Sequence, residues 1–308
     1  MIDITLLGTS SMMPLPERAL TSVFLACDGH SILFDCGEGT QTAARKAGVS
    51  LMKTDIIALS HYHGDHVFGL PGLLQTMNST GRKEPLYITG PDGLKSALYP
   101  LLTLAGALGF EIIPLKLPDG GLELDGLIRD FKHGARLTPF KTDHRVSSQG
   151  YCFTLSRPGK FNPEKAKALG VPVEMFKTLQ RGQSVIADDK TVLPEQVLGA
   201  PRKGLKFVFS GDTSYCAPLV EAAENADLCV FDATYAENEQ ASAAVEHGHM
   251  NFAQAAAAAA EANAKQLWLV HYSQMIKDPS EYIENARRIF ENTVCGYDGL
   301  SAALEFEE

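Results

Sequence analysis

The chain has 308 residues, 45% of them hydrophobic, enough apolar material for a large core, and a net charge of −10. That acidic balance argues against a dedicated nucleic-acid-binding module, which carries a basic footprint, and no apolar run is long enough to span a bilayer. Six cysteines (Cys27, Cys36, Cys152, Cys216, Cys229 and Cys295) are scattered without a CxxC pair, so reduced, mostly buried thiols and a cytoplasmic setting are expected.

The first eight residues, MIDITLLG, lack the basic start of a signal peptide and read as a strand. A proline-bearing loop, Gly8 to Arg18, follows. Ser22 to Cys27 and Ser31 to Asp35 then form two strands joined at Asp28-Gly29, a hairpin signal. Asp35 ends its strand, and a helix is expected around Gln41 to Ala47. Asp35 serves either to orient a nearby ligand or to stabilise its own turn.

The apolar run Asp55 to Leu59 reads as a buried strand and delivers Ser60-His61-Tyr62-His63-Gly64-Asp65-His66. Imidazole nitrogens and carboxylate oxygens are ligands of zinc and similar divalent metals. His61 and His63 alternate around Tyr62 and so point the same way from an extended segment. Asp65 and His66 follow the turn at Gly64 and can face a second point. Four candidate ligands divided in this way imply two metals.

Beyond the cluster, a strand is expected at Pro85 to Pro91, a helix near Gly93 to Thr103, and strands at Glu111 to Leu117, Phe131 to Leu137, Phe140 to Thr142 and Gly150 to Leu155. His144 falls between the last two. Residues 156–206 break the pattern: they are rich in Pro, Gly and Lys, with one helical stretch near Pro163 to Leu169. From Arg157 to Lys206 there are ten Lys or Arg and five Asp or Glu, a local excess of positive charge. The segment reads as a protruding arm inserted in a single domain of residues 1–308.

Strand–ligand units then resume. Leu205 to Ser210 leads to Asp212, Leu228 to Phe231 leads to Asp232, and Leu267 to Val270 leads to His271. Strand ends gathered at one edge of a sheet converge on one site. Seven residues can then hold two ions: His61, His63 and His144 for one, Asp65, His66 and His271 for the other, with Asp212 bridging. Two ions about 3.5–4 Å apart clamp both oxygens of a displacement and activate water near neutral pH. Phe252 to Lys265 is an alanine-rich helix, with Asn251 and Gln254 forming a capping box. His249, just ahead of that cap, is not delivered by a strand; it can act as a general acid oriented by Asp232. His30, His133 and His247 are expected at the surface.

These motifs together resemble the metallo-β-lactamase superfamily and, within it, the ribonuclease Z family of tRNA 3′ endonucleases. The resemblance is carried by LGTS at Leu7–Ser10, FDCGEGTQ at Phe34–Gln41, SHYHGDHVFGLPGLL at Ser60–Leu74, His144 with Gly150-Tyr151, Gly211-Asp212-Thr213, Gly248-His249 and His271-Tyr272-Ser273. It implies an α/β fold, a four-layer αββα sandwich, with two zinc ions per chain; manganese or iron also suit these ligands. It implies precursor tRNA as the substrate and a homodimer; no membrane association is expected, since no apolar run is long enough to span a bilayer. Removal of the 3′ trailer would leave a tRNA 3′-hydroxyl, with Asp65 positioning the attacking water or accepting its proton, His249 protonating the leaving oxygen and Asp232 supporting His249. The family's inserted arm grips tRNA, which gives Lys160, Lys165, Lys167, Lys177 and Arg181 a substrate-binding role, and its substrate loop gives one to Arg18. The sequence departs from the family pattern at Ala19, where asparagine is usual, at Asp232, where glutamate is usual, at Met250-Asn251 after His249, and in the arm, which lacks a Gly-Pro pair. An alternative is a phosphodiesterase or esterase of the same fold acting on a small substrate with no tRNA role. A retired hydrolase kept as an RNA-binding scaffold is a third reading, against which the complete ligand set weighs.

Overall fold

The computed structural model describes residues 1–307. Among the described residues there are sixteen strands: β1 (Ile2–Gly8), β2 (Ser22–Cys27), β3 (His30–Phe34), β4 (Ile56–Ala58), β5 (Leu86–Thr89), β6 (Ile112–Leu115), β7 (Leu122–Glu123), β8 (Ala135–Lys141), β9 (Gln149–Arg157), β10 (Val185–Ala187), β11 (Lys190–Val192), β12 (Arg202–Phe209), β13 (Leu228–Asp232), β14 (Leu267–Val270), β15 (Thr293–Cys295) and β16 (Ser301–Leu304). Fourteen of them build two seven-stranded sheets, ordered β16-β1-β2-β3-β4-β5-β6 and β15-β14-β13-β12-β9-β8-β7. In the first sheet β3 to β6 run parallel, and in the second β12 to β15 do.

The sheets pack face to face because their strands alternate in what they bury. Ile2, Ile4 and Leu6 of β1 and Leu205, Phe207 and Phe209 of β12 point into the layer between the sheets. At its centre Phe34 lies among Tyr151, Phe207 and Phe209, with ring centroids 5.8, 5.5 and 5.6 Å away. The opposite face of the first sheet, including Leu33 and Ile57, is covered by the helices Thr40–Lys46, Leu70–Ser79 and Leu94–Ala105. Val208, Cys229 and Leu269 of the second sheet are covered by Ala217–Ala223, Phe252–Glu261 and Glu284–Arg287. The result is the expected four-layer αββα sandwich. The alanines of Phe252–Glu261 let that helix lie close on its sheet: Ala255, Ala256, Ala258 and Ala259 are fully buried.

Three local expectations need correction. The strand expected at Phe131 to Leu137 starts only at Ala135, because the chain turns through Gly134, whose φ is +81°. It then runs unbroken through Pro139, which lies beyond the residues paired with β7 and so withholds no needed N–H from that side. The segment between β9 and β12 has more structure than one helical stretch. Helices Pro163–Ala168 and Phe176–Gln180 and the hairpin β10–β11 enclose a small core of Ala166, Val171, Leu179, Val185, Ala187, Val192 and Val197. The hairpin turns at Asp188-Asp189, both with positive φ, a pair that signals a turn less clearly than Asn-Gly.

Topology fixes where these parts sit. Tyr151 pairs with Phe209 at one end of the β9–β12 ladder, and Arg157 with Arg202 at the other. Phe209 leads to Asp212, so the inserted segment leaves the sandwich at the far end from Asp212, roughly 25 Å along the strand at about 3.3 Å per residue.

Candidate active site

The turns that follow β3, β4, β8, β12, β13 and β14 meet at one edge of the sandwich, and all seven residues expected to bind metal come together there. The donor atoms of His61, His63, His144 and Asp212 lie within 4.8 Å of one another, as do those of Asp65, His66 and His271. His63 Nδ1 is 2.9 Å from His61 Nε2 and 3.4 Å from His144 Nε2. On the other side His271 Nε2 is 3.4 Å from Asp65 Oδ2, and His66 Nε2 is 3.7 Å from the same oxygen. Asp212 stands between the groups: Oδ2 is 3.7 Å from His61 Nε2, while Oδ1 is 3.3 Å from both His66 Nε2 and His271 Nε2.

Four of the five histidines are held by their other nitrogen. His66 Nδ1 donates to Asp35 Oδ2 at 2.7 Å. Ser60 Oγ also donates to that oxygen, so it accepts from His61 Nδ1 at 3.0 Å. His144 Nδ1 donates to the Gly248 carbonyl at 2.8 Å. Gly248 has φ +74°, and a Cβ there would come within 2.8 Å of His144 Nδ1, so glycine is required. Thr234 Oγ1 donates to Asp232 Oδ1 at 2.7 Å and accepts from His271 Nδ1 at 2.8 Å. Each partner leaves the Nε2 lone pair facing the centre, the arrangement that orients a metal-binding imidazole. His63 differs and turns Nδ1 inward. Asp35 and His271 have φ of +56° and +64°, left-handed geometry that a carboxylate and an imidazole adopt here directly after their strands.

The residues fit a pair of divalent cations. His66 Nε2 and Asp212 Oδ1 are buried without a hydrogen-bond partner, a costly state for polar atoms unless a further group engages them. A tetrahedral zinc ion with bonds of about 2.0–2.1 Å sets its ligand atoms about 3.4 Å apart, and most donor separations here fall close to that value. Charge points the same way. Burial opposes ionisation of Asp212, but His271 and His66 hold its carboxyl well below the ordinary range. Burial alone would lower His271, yet Asp212 and Asp232 together raise it to about 10. Burial and neighbouring histidines push His61 well down, which keeps its lone pair available.

His249 follows the left-handed Gly248 that ends helix Ala241–His247 and precedes the Asn251 cap. Its Nδ1 donates to Asp232 Oδ2 at 2.7 Å, and its ring stacks on His271 with centroids 5.3 Å apart. Burial lowers the His249 pKa, but the Asp232 charge and hydrogen bond outweigh it and the net shift is upward. Asp232 also lies close enough to be counted with Asp212, His249 and His271 as a metal-holding group. Its oxygens are already taken by Thr213 N–H, Thr234 N–H, Thr234 Oγ1 and His249, which makes it a support for the histidines.

Arg18 and the arm residues fall elsewhere. The Arg18 guanidinium turns inward: Nη2 donates to the Ile276 carbonyl at 2.5 Å, and the group lies over the Tyr272 ring at 5.8 Å. Lys160, Lys165, Lys167, Lys177 and Arg181 are exposed on the inserted segment, which leaves the sheet at the end away from Asp212. Of the histidines expected at the surface, His133 is exposed; His30 is half-buried against Phe131 and Asp55, and His247 against Tyr235. Sequence reasoning missed Ser60, Thr234 and the Gly248 carbonyl as orienting groups. Ser60 and Thr234 directly adjoin motif residues, so their position was the available signal.

This fold and this centre define a hydrolase of the metallo-β-lactamase superfamily, and residues 30–272 match the Beta-lactamase superfamily domain. The ribonuclease Z of Agathobacter rectalis is 40% identical over 310 residues, covering 100% of both chains. That of Lachnospira eligens is 39% identical over 308 residues, covering 100% of this chain and 99% of the relative. Human tRNase Z, short form, has a similar structure, with a TM-score of 0.66 and 26% identity over 99% of this chain and 100% of that one. The chain belongs to the ribonuclease Z family.

Proposed function

We propose that this chain is a metal-dependent endoribonuclease that removes the 3′ trailer from precursor tRNA and leaves a 3′-hydroxyl on the tRNA. The observation that carries the reading is the pair of unpartnered buried atoms, His66 Nε2 and Asp212 Oδ1, inside a ring of donors in a chain of the ribonuclease Z family. His61, His63 and His144 would hold one cation, Asp65, His66 and His271 the other, and Asp212 both, with zinc favoured by the imidazole-rich set. Bound there, the cations supply Lewis-acid polarisation of the phosphodiester and lower the pKa of a water molecule.

The chain's own residues do the rest. Asp65 Oδ2 accepts from Met12 N–H at 2.8 Å and faces His271, so it is held where it can position the attacking water or take its proton. His249 spends Nδ1 on Asp232, which leaves Nε2 to protonate the leaving 3′ oxygen. The Asp232 charge, which shifts the His249 pKa upward, favours the protonated ring that this role needs. The arm, residues 156–206, grips the body of the tRNA through Lys160, Lys165, Lys167, Lys177 and Arg181. Its attachment far from Asp212 suits a substrate whose bulk lies away from the cut, and Arg18 supports the loop of residues 10–18 from within. The working form in this reading is a homodimer in the cytoplasm. Among the described residues no helix is long and apolar enough to cross a membrane.

The test is cleavage of precursor tRNA by purified, metal-loaded protein. The expected products are a tRNA ending in a 3′-hydroxyl and a trailer with a 5′-phosphate, formed about 10²–10⁴-fold more slowly by His249→Ala. Turnover of a chromogenic phosphodiester with precursor tRNA left intact would instead select a small-substrate phosphodiesterase.

A further inference from the structure

A cleft of about 500 Å³ adjoins the centre, and none of the residues so far given a role lines it. Its walls come from three segments: the turn after β5 with the start of helix Leu94–Ala105, the chain after β6, and both flanks of the loop that carries His144. Two hydrogen bonds join its walls to the segment that carries His61 and His63. Tyr62, between His61 and His63, donates its hydroxyl to the Pro91 carbonyl at 2.6 Å, and Gln149 N–H donates to the Ser60 carbonyl at 2.9 Å. The cleft therefore lies along the same edge of the sandwich, against the loop that carries His144, whereas the loop of residues 10–18 borders the Asp65 side through Met12.

Lys95, Lys116 and Lys141 reach this cleft, one from each wall, and all three are exposed. Among the described residues the lysines that form ion pairs are Lys132, Lys167, Lys203 and Lys265. Among the described residues the three cleft lysines have no carboxylate partner, although Asp92 and Asp119 also line the walls. Three free ammonium groups converging on one cleft in a chain of net charge −10 point to a polyanion. The volume lies within the range of small-ligand pockets, about 300–1,000 Å³. That admits a nucleotide or two of a single strand and excludes a duplex.

We propose that this cleft takes the first nucleotides of the trailer, the single-stranded RNA downstream of the cut, with Lys95, Lys116 and Lys141 on its phosphates. The proposal rests on the tRNA-processing reading above. An endonuclease must hold RNA on both sides of the scissile phosphate, and the two flanks of the centre are this cleft and the loop of residues 10–18. A lysine-lined groove tracks a single strand through its phosphates and is indifferent to sequence.

The test compares wild type with the triple variant K95Q/K116Q/K141Q on two precursor tRNAs, one with a single-nucleotide trailer and one with a trailer of about eight nucleotides. The variant is expected to cut the short substrate as wild type does, which also reports an intact fold. On the long substrate kcat/KM should fall about tenfold, and the dependence on log salt should flatten by about 2, at roughly 0.7 per lost phosphate contact. Equal losses on both substrates, or none on the long one, overturn the proposal. If wild type cuts neither precursor, the tRNA reading fails, and the cleft is judged by fluorescence anisotropy with a 5′-phosphorylated single-stranded RNA of about eight nucleotides. Binding weakened in the variant supports the cleft; equal binding, or none by wild type, overturns it.

Discussion

The Thr234 hydroxyl stands between Asp232 and His271, donating to Asp232 Oδ1 at 2.7 Å while accepting the His271 Nδ1 proton at 2.8 Å. It is also 3.2 Å from His249 Nδ1. One small side chain thus connects the histidine facing Asp212 with the carboxylate that supports the proposed general acid. Replacing it as Thr234→Val keeps the shape but removes the hydroxyl. Metal affinity, measured by chelator competition, should fall about 10–100-fold. Thr234→Ser should restore most of it. Wild-type affinity in the valine variant would show that the hydroxyl does not orient His271.

Asp35 does the same for His66. Its carboxylate accepts from Ser60 N–H, Ser60 Oγ and His66 Nδ1, each at 2.7 Å. In Asp35→Asn the amide NH₂ must face a donor in either orientation. Against His66 it favours the tautomer with the proton on Nε2, the atom turned toward Asp212. Metal affinity should again fall about 10–100-fold, although no proposed ligand has changed. Unchanged chelator competition would remove Asp35 from the account.

The raised histidines predict a pH signature. His271 is pushed to about 10, with burial opposing and Asp212 and Asp232 prevailing; His66 is also raised, with Asp212 and Asp35 prevailing over burial. In chelator-treated protein His271 carries an extra proton at neutral pH that an incoming cation must displace, and His66 is shifted in the same direction. Calorimetric zinc titrations in buffers of different ionisation enthalpy should therefore report proton release. Because the folded pKa exceeds the unfolded value of about 6.5, the stabilising contribution of His271 is complete below about pH 6.5 and is lost as pH rises toward about 10. The melting temperature of the chelated protein should fall across that window. On the acid side Asp65 and Asp212 are lowered, so their contribution is present above about pH 4 and lost as pH falls below it. Buffer-independent zinc binding and a flat melting temperature from about pH 6.5 to 10 would contradict this.

The cap before Phe252–Glu261 provides a stability test separate from metal chemistry. Asn251 Oδ1 accepts from Gln254 N–H at 2.8 Å, and Gln254 Oε1 accepts from Asn251 N–H at 2.9 Å. Asn251→Ala should cost about 1 kcal/mol in denaturant unfolding and leave metal content unchanged. Loss of metal at full stability would mean that the cap acts mainly by placing the Gly248 carbonyl that holds His144.

Much of this centre was legible in the sequence because its ligands directly follow apolar strands, and a strand followed by a polar turn is a local pattern. The capping box and the Asp28-Gly29 hairpin are local too, and both form as expected. What escaped is long-range. His144 is held by a carbonyl 104 positions away, and Arg18 is turned inward by one 258 positions away. The pairing of β16 with β1 joins the two ends of the chain. The small core of the inserted segment was hidden because Leu179, Val185 and Val192 sit in three short elements and Val171 in the chain ahead of them, none long enough to show a period.

The central claim is that two cations share Asp212, and anomalous X-ray diffraction from zinc-loaded crystals tests it most directly. The account predicts two peaks per chain, about 3.5–4 Å apart, one among His61, His63 and His144 and the other among Asp65, His66 and His271, each within bonding distance of Asp212. A single peak, or peaks elsewhere with Asp212 free of both, would contradict it.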